Sequence, residues 1–173
     1  MKTKKTVLFV TQAGLIAALY IALTALSALL GLSSGVIQFR ISEALSVLPF
    51  FTPAAIPGLA LGCALANAMT GSLPLDVIFG SFATLCGAAV TWLIGRCPAR
   101  KKTCIKLLAT IPNVAANVLV VPWVLRLVYS SSDALWFMAI TVGVGEVVAG
   151  AVPGFLLILL LERKAPRLLS LDR

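Results

Sequence analysis

One acidic residue, Glu146, stands in the middle of a long apolar stretch of the sequence. A carboxylate there can accept hydrogen bonds from amino and N–H groups or carry a proton, and placing it in an apolar environment is costly. Gly143 and Gly150 lie three residues before it and four after it, so on a helix they share its face and leave space for a flat ligand. The pattern predicts a ligand-binding carboxylate. A structural carboxylate paired with a neighbour, such as Arg126 or an asparagine, is the alternative.

Further polar side chains interrupt the other apolar stretches. Asn113 and Asn117 are four residues apart and offer amide donors and acceptors on one helix face, although hydrogen bonding between helices would use the same groups. Arg40 and Glu43 are three residues apart and could pair on a helix. Asp76 begins a helical face of small, mildly polar residues. The predicted substrate-binding residues are Glu146, Asn117, Asn113, Asp76, Asn67, Arg40, Glu43 and Gln38, of which the last five in this order would line the outer mouth of the site.

The chemistry of these side chains favours binding over catalysis. Carboxylates and amides suit a flat, polar molecule, such as the amino edge of a purine-like base. The sequence has no recognisable nucleophile–base pair and no Gly-rich phosphate loop. It has no histidine, and its four cysteines do not follow a metal-site spacing. We therefore expect a protein that is not an enzyme, with no metal site and no cofactor in this chain.

Composition indicates that these residues lie in a membrane protein. The 173-residue chain is 60% hydrophobic and 12% charged, whereas soluble domains are about 25% charged. Several apolar runs reach the roughly 20 residues that span a bilayer. We predict an all-α, polytopic protein of the cell membrane with one integral domain over residues 1–173. The predicted spans are about 7–30, 36–51, 54–70, 74–95, 105–129 and 134–161.

The basic residues predict the orientation of these spans. Twelve of the 14 lysines and arginines fall in clusters at 2–5, 96–106 and 163–173. Basic clusters beside membrane spans stay in the cytoplasm, so an even number of crossings must separate one from the next. Residues 36–70 must then cross twice, or not at all as a re-entrant hairpin. Two crossings give six transmembrane helices with both termini in the cytoplasm. The same clustering argues against nucleic acid as the partner of the positive charge.

The first predicted span carries a stripe of small residues. Its members are Ala13, Ala17, Ala18 and Ala22. Small residues about four apart let another helix approach closely. The stripe predicts either packing inside this protein or docking of a partner subunit.

Several segments, in this order along the chain, resemble the QueT family. They are Gln38-Phe-Arg-Ile-Ser-Glu-Ala-Leu45, Leu48-Pro-Phe-Phe-Thr-Pro-Ala-Ala-Ile-Pro-Gly58, Gly62-Cys-Ala-Leu-Ala-Asn67, Leu75-Asp-Val-Ile-Phe-Gly-Ser-Phe-Ala-Thr84 and Thr141-Val-Gly-Val-Gly-Glu146. The resemblance covers most of the chain, from about residue 11 to residue 163.

This resemblance implies a substrate-binding S component of an energy-coupling factor (ECF) transporter, folded as a six-helix membrane bundle. The implied substrate is a queuosine precursor or a related 7-deazaguanine. The implied partners are a transmembrane coupling subunit and two ABC-type ATPases, which use the ATP. S components dock through small residues of their first helix, here the alanine stripe, and are proposed to topple in the membrane. An S component for another vitamin and an ion-coupled carrier using Glu146 as its proton site stay open as alternatives.

Overall fold

The computed structural model describes residues 2–32, 39–128 and 134–164, and these residues form helices and connecting turns without any strand. A 3₁₀ helix covers Ile41–Phe50, and a π-helical turn covers Val147–Ala151. The all-α prediction is therefore confirmed for the described residues. The α-helices are α1 (Lys2–Leu29), α2 (Ala55–Met69), α3 (Pro74–Gly95), α4 (Thr103–Leu108), α5 (Ile111–Val128), α6 (Leu135–Glu146) and α7 (Val152–Lys164).

Four helical segments in the described part of the chain are long and apolar enough to cross a membrane. They are Thr3–Leu29, Pro74–Gly95, Thr103–Leu127 and Leu135–Lys164. Many large apolar side chains on these segments are exposed, Phe82 and Leu119 among them, as expected for a surface that faces lipid rather than water. The helices Ile41–Phe50 and Ala55–Met69 are apolar but shorter, so six crossings and cytoplasmic termini stay predictions.

The stretch predicted as one span over 105–129 is divided between α4 and α5, with the break at Ala109 and Thr110. Pro112 explains the break, because its ring clashes with the carbonyl four residues earlier, whereas a proline in the first turn of the next helix is tolerated. The Thr91 hydroxyl donates to the Ala109 carbonyl at 3.2 Å, and the Thr110 hydroxyl donates to a carbonyl of α4 at 2.8 Å. Carbonyls at the break thus find partners inside the bundle, as they must in an apolar environment.

The 3₁₀ helix runs antiparallel to α1. At its start the Ile41 N–H donates to Ser27 Oγ at 2.9 Å, and just past its end the Thr52 hydroxyl donates to Gln12 Oε1 at 3.1 Å. These two attachment points lie about 22 Å apart along α1, at about 1.5 Å per residue. A 3₁₀ helix rises about 2.0 Å per residue, so this short helix covers nearly the same depth with fewer residues. Both faces of the helix carry buried residues, including Ser42 and Val47.

Glycines bring α1 and α2 into close contact. A Cβ atom at Gly58 would lie 2.7 Å from the Ala13 carbonyl oxygen, and one at Gly62 would lie 3.1 Å from Ala17 Cα. The first two alanines of the stripe therefore pack inside the protein, which is one of the two roles that the sequence predicted for the stripe. The other members, which are exposed, are Ala18 and Ala22. Docking of a partner on the stripe stays a prediction, and the exposed pair is the part available for it.

Most of the basic residues lie at one end of the bundle, which we call the basic end. It comprises the start of α1, the 96–106 segment between α3 and the first turn of α4, and the last turn of α7. Lys106 and Glu162 form an ion pair that joins α4 to α7, and Gly95 at the end of α3 packs on the backbone of Phe50. The 96–106 cluster and the last turn of α7 thus lie at the same end of the bundle, and α1 begins toward this end because its Gln12 is bonded to Thr52, next to Phe50. The side of the membrane that this end faces stays a prediction.

Candidate substrate-binding site

A buried carboxylate joins three helices in the interior of the bundle. Glu43, on the 3₁₀ helix, is 4% exposed. The Tyr20 hydroxyl of α1 donates to its Oε1 at 2.5 Å, and the Asn113 side-chain amide of α5 donates to its Oε2 at 2.8 Å. A carboxylate in an apolar interior is costly without such donors, so these two hydrogen bonds fix the positions of α1, the 3₁₀ helix and α5 relative to one another.

Glu146, the last residue of α6, forms a second carboxylate beside the first. Asn117 Nδ2 donates to its Oε1 at 2.8 Å. Its Oε2 is buried and has no hydrogen-bond partner within the described residues. Gly150 packs against both acidic residues, since a Cβ atom there would lie 3.2 Å from Glu43 Cβ and 3.5 Å from Glu146 Oε2. The glycine that the sequence placed on the face of Glu146 therefore lets Glu43 and Glu146 lie close together, and space for a flat ligand beside Glu146 stays a prediction.

The π-turn Val147–Ala151 follows Glu146 directly and shapes this side of the site. Its widened hydrogen bond runs from the Val152 N–H to the Val147 carbonyl. Helix α6 packs against α5, whereas α7 packs against the 3₁₀ helix. Beyond the turn, a Cβ atom at Gly154 would lie 2.8 Å from a methyl group of the 3₁₀ helix. The π-turn thus lets one continuous segment serve two neighbours, and such turns are frequent at functional sites.

Arg40 and Asn67 form a second polar cluster where the 3₁₀ helix begins. Arg40 Nη1 donates to Asn67 Oδ1 at 2.7 Å, and Asn67 Nδ2 contacts Cys63 Sγ at 3.6 Å. Gly80 of α3 makes room for the amide, because a Cβ atom there would lie 3.2 Å from Asn67 Nδ2. Asp76 is half-buried in the first turn of α3 and lies within electrostatic range of Arg40. The structure therefore brings these predicted mouth residues together.

Hydroxyl groups on α1 support the same end of the 3₁₀ helix. Thr24 Oγ1 lies 2.8 Å from Ser42 Oγ, and Ser27 Oγ accepts from the first backbone N–H of the helix. All three hydroxyl-bearing residues are almost fully buried. Tyr20, Thr24 and Ser27 thus form a polar face on the otherwise apolar α1, and this face holds the 3₁₀ helix.

Comparison with known proteins identifies the family of this chain. The profile of the QueT transporter family matches residues 10–163. The chain belongs to the QueT transporter family. This family consists of transporters rather than enzymes. Together with its long apolar helices, membership makes the chain a multi-pass protein of the plasma membrane.

One curated relative gives the family a named member. The protein "Queuosine precursor transporter QueT" of Lactococcus lactis subsp. cremoris (strain MG1363) is 41% identical over 85 residues. The match covers 49% of this chain and 49% of that relative, so the chain matches about half the length of the curated protein. No solved structure matches the chain.

In this member of the QueT transporter family, the predicted binding residues fall into two groups. Arg40, Asn67 and Asp76 lie in the cluster at the start of the 3₁₀ helix. The deep group consists of Glu43, Asn113, Asn117 and Glu146. Gln38 lies outside the described residues. The binding roles of all these residues stay predictions.

Glu43 was expected at the outer mouth beside Arg40 but lies in the deep group. The reason is local, because Arg40 has an extended backbone (φ −112°, ψ 107°) at the entrance of the 3₁₀ helix. The two residues therefore do not share one helix face. Arg40 donates a hydrogen bond to Asn67, whereas Glu43 accepts hydrogen bonds from Tyr20 and Asn113.

Sequence reasoning missed Tyr20, Thr24 and Ser27 as members of the polar interior. Two signals could have found them. A tyrosine in the middle of an apolar span needs a partner for its hydroxyl when it is buried. The three residues are also spaced by four and three positions, which places them on one helix face.

Proposed function

We propose that this chain is the membrane-embedded substrate-capture subunit of an ATP-driven, ECF-type uptake transporter, and that it binds a queuosine precursor or a related 7-deazaguanine. The observation that carries the proposal is a pair of buried acceptor atoms, Asn113 Oδ1 and Glu146 Oε2, without a hydrogen-bond partner in the described part of the chain. Buried polar atoms normally have partners. With Glu146 ionised both atoms accept hydrogen bonds, so the ligand that complements them is a donor.

A deazaguanine base suits this site chemically. It is flat, and it carries amino and ring N–H donors along one edge, the kind of edge that carboxylate and amide acceptors recognise. Glu146 would accept from the amino edge, with Asn113 and Asn117 on either side. Arg40 and Asn67 would close the mouth of the site. The named Lactococcus relative supports this choice of substrate through its description as a queuosine precursor transporter.

Six crossings with both termini in the cytoplasm belong to the same proposal. The 3₁₀ helix runs antiparallel to α1 over about 22 Å of helix length, which supports counting it as a crossing despite its ten residues. The basic end carries most of the lysines and arginines, so the positive-inside rule places it in the cytoplasm. The cluster of Arg40 and Asn67 then opens toward the outside, as uptake requires.

The energy for transport would come from partner subunits. The sequence contains no Walker motif, so the ATP would be bound by ABC-type ATPases joined to a transmembrane coupling subunit, and this chain itself would hold no cofactor. The exposed alanines Ala18 and Ala22 of α1 offer a smooth surface on which that subunit could pack. Ala13 and Ala17 are already covered by α2.

An ion-coupled carrier is the second candidate, and one observation favours it. Glu146 is an acidic residue within an apolar segment long enough to span a membrane, and its Oε2 has no partner within the described residues. Ionisable residues in such places often relay protons in transporters. In this mechanism the chain would work without ATPases.

Two measurements separate these functions. Calorimetry on the purified solitary chain should detect binding of 7-deazaguanine bases; no heat from any queuosine precursor would refute the substrate. The chain is then placed in lipid vesicles with and without the coupling subunit and ATPases. Uptake only with partners and ATP supports the capture subunit, whereas uptake by the chain alone under a proton gradient supports the carrier. Binding of a different vitamin alone would keep the mechanism and change the substrate.

A further inference from the structure

A second recess lies at the basic end of the bundle, away from the paired carboxylates. Its volume is about 470 Å³, within the range of about 300–1,000 Å³ that is typical of small-ligand sites. It is walled by the end of the 3₁₀ helix, the proline-rich turn after it, the last turns of α3 and the loop that follows α3. We call it the basic recess. The transport mechanism proposed above gives it no role.

Aromatic rings hold two guanidinium groups at this recess. Arg96 Cζ lies 4.3 Å from the centre of the Trp92 ring, and Arg100 Cζ lies 6.0 Å from the centre of the Phe50 ring. Both distances fall within the range of about 6 Å for cation–π contact. A guanidinium stacked in this way keeps its N–H donors in the plane of the group, where they can bind the oxygens of a phosphate in pairs.

The charge of the basic recess is not balanced by its own lining. Arg96, Arg100 and Lys101 contribute three positive charges, and the lining contains no acidic residue. Among the described acidic residues, Glu162 is paired with Lys106, and the others lie in the two polar clusters around the 3₁₀ helix. An anion with several acceptor oxygens is therefore the ligand that fits this recess.

The position of the basic recess selects the kind of anion. It lies where the apolar helix Pro74–Gly95 ends and the charged loop begins, which is the level of lipid headgroups in a membrane protein. Its walls combine cations with the apolar surfaces of Phe50, Phe51 and Trp92. A free phosphate ion would use only the cations, whereas a phospholipid would use the apolar surface as well.

We propose that the basic recess binds the headgroup of an anionic phospholipid. Arg96, Arg100 and Lys101 contact the phosphate oxygens, and Trp92 and Phe51 contact the glycerol and the first acyl carbons. The site is independent of the transported substrate, so its test succeeds or fails whatever ligand the carboxylates bind. It also gives the proline-rich turn at Pro53 a function, as part of the wall against which the lipid packs.

The test compares two single variants with matched exposure and charge. Arg96→Gln removes an exposed cation of the recess, and Lys102→Gln removes an exposed cation of the same loop that does not line it. Each protein is reconstituted in nanodiscs of phosphatidylcholine with added phosphatidylglycerol, and retained lipid is counted by native mass spectrometry. Loss of the paired hydrogen bonds and the charge should weaken phosphatidylglycerol retention about tenfold in Arg96→Gln. Lys102→Gln should change it by no more than about twofold.

Three results would overturn the proposal. Equal weakening by both variants would mean diffuse attraction to the basic end. Equal retention of phosphatidylcholine and phosphatidylglycerol by the original protein would mean that no anionic headgroup is selected. Displacement of phosphatidylglycerol by an equal concentration of inorganic phosphate would assign the recess to a free phosphate. Since Arg96 is exposed, loss of folding is not expected in its variant, and a thermal melt of each protein checks this.

Discussion

Glu146→Gln is the sharpest test of the binding site, because it reverses the hydrogen-bonding character of one atom and keeps the shape of the side chain. The glutamine carbonyl can still accept from Asn117 Nδ2, the partner that lies 2.8 Å from Glu146 Oε1. Its amide nitrogen then occupies the position of Oε2, which is buried and without a partner within the described residues. A donor replaces an acceptor at the position where the ligand is expected to donate.

The size of the effect follows from the bond that is lost. A hydrogen bond to a charged group contributes about 1.5–3 kcal/mol, which corresponds to an increase in Kd of about 10- to 160-fold. Because the bond to Asn117 survives, the midpoint of thermal unfolding should change little. The variant should thus be a folded protein with weak binding.

Calorimetry with a 7-deazaguanine base, on the original protein and its variants in the same detergent, measures this loss of affinity. Glu162→Gln is the matched control, since it removes the same charge from the ion pair with Lys106 at the basic end. Its affinity for the base should stay within a few-fold of the original, as expected for an ion pair outside the site. Unchanged affinity in Glu146→Gln, or an equal loss in both variants, would refute the assignment of Glu146 to ligand recognition.

Three further predictions concern helix packing, the docking surface of α1 and the start of the 3₁₀ helix. Gly87→Ala places a Cβ atom 2.8 Å from a Cα atom of α5 and should lower the unfolding free energy by about 1–3 kcal/mol. Gly14→Ala is the control, because a Cβ atom there has nothing within 4 Å, and this substitution should be neutral or stabilising. Equal effects of the two variants in thermal melts would contradict the close contact at Gly87. Ala18→Trp should block association with a coupling subunit in a pull-down and leave ligand binding intact. Ala17→Trp, whose side chain would lie against α2, should instead destabilise the protein itself. Normal association of a folded Ala18→Trp protein would exclude this face as the docking surface. Ser27→Ala removes the acceptor for the first N–H of the 3₁₀ helix and should cost about 1–3 kcal/mol, and an unchanged unfolding midpoint would show that another group replaces it.

The sequence predicted the membrane class and the main polar residues because polarity is conspicuous in apolar segments. Glu146, Asn113 and Asn117 were identified in this way, and the structure places them close together. The small face of α3 was predicted from helical spacing, and its members Gly80, Thr84 and Gly87 are buried. In these cases a local signal was enough, namely polarity for the three site residues and helical spacing for α3.

Other features depend on contacts between distant segments and could not be read from local patterns. The hydrogen bond between Tyr20 and Glu43 joins residues that are 23 positions apart, and it forms only because the intervening chain returns as a 3₁₀ helix. Spacing also could not show which alanines of the stripe are buried and which are exposed. Whether Ala13 or Ala18 is covered depends on the position of Gly58, on another helix.

Because of the π-turn, the number of residues in the last span determines which faces of its two helices meet their neighbours. An α-helix advances about 100° per residue, and a π-turn accommodates one residue more than an α-turn, so it offsets the faces before and after it by about that angle. This offset points α6 at α5 and α7 at the 3₁₀ helix. Deleting one residue from Val147–Ala151 would shorten the segment by only about 1.5 Å, yet it would turn Gly154 and Ile158 away from their neighbour. We therefore expect the segment to tolerate substitutions at its lipid-exposed positions, such as Val148, far better than any change in its residue count.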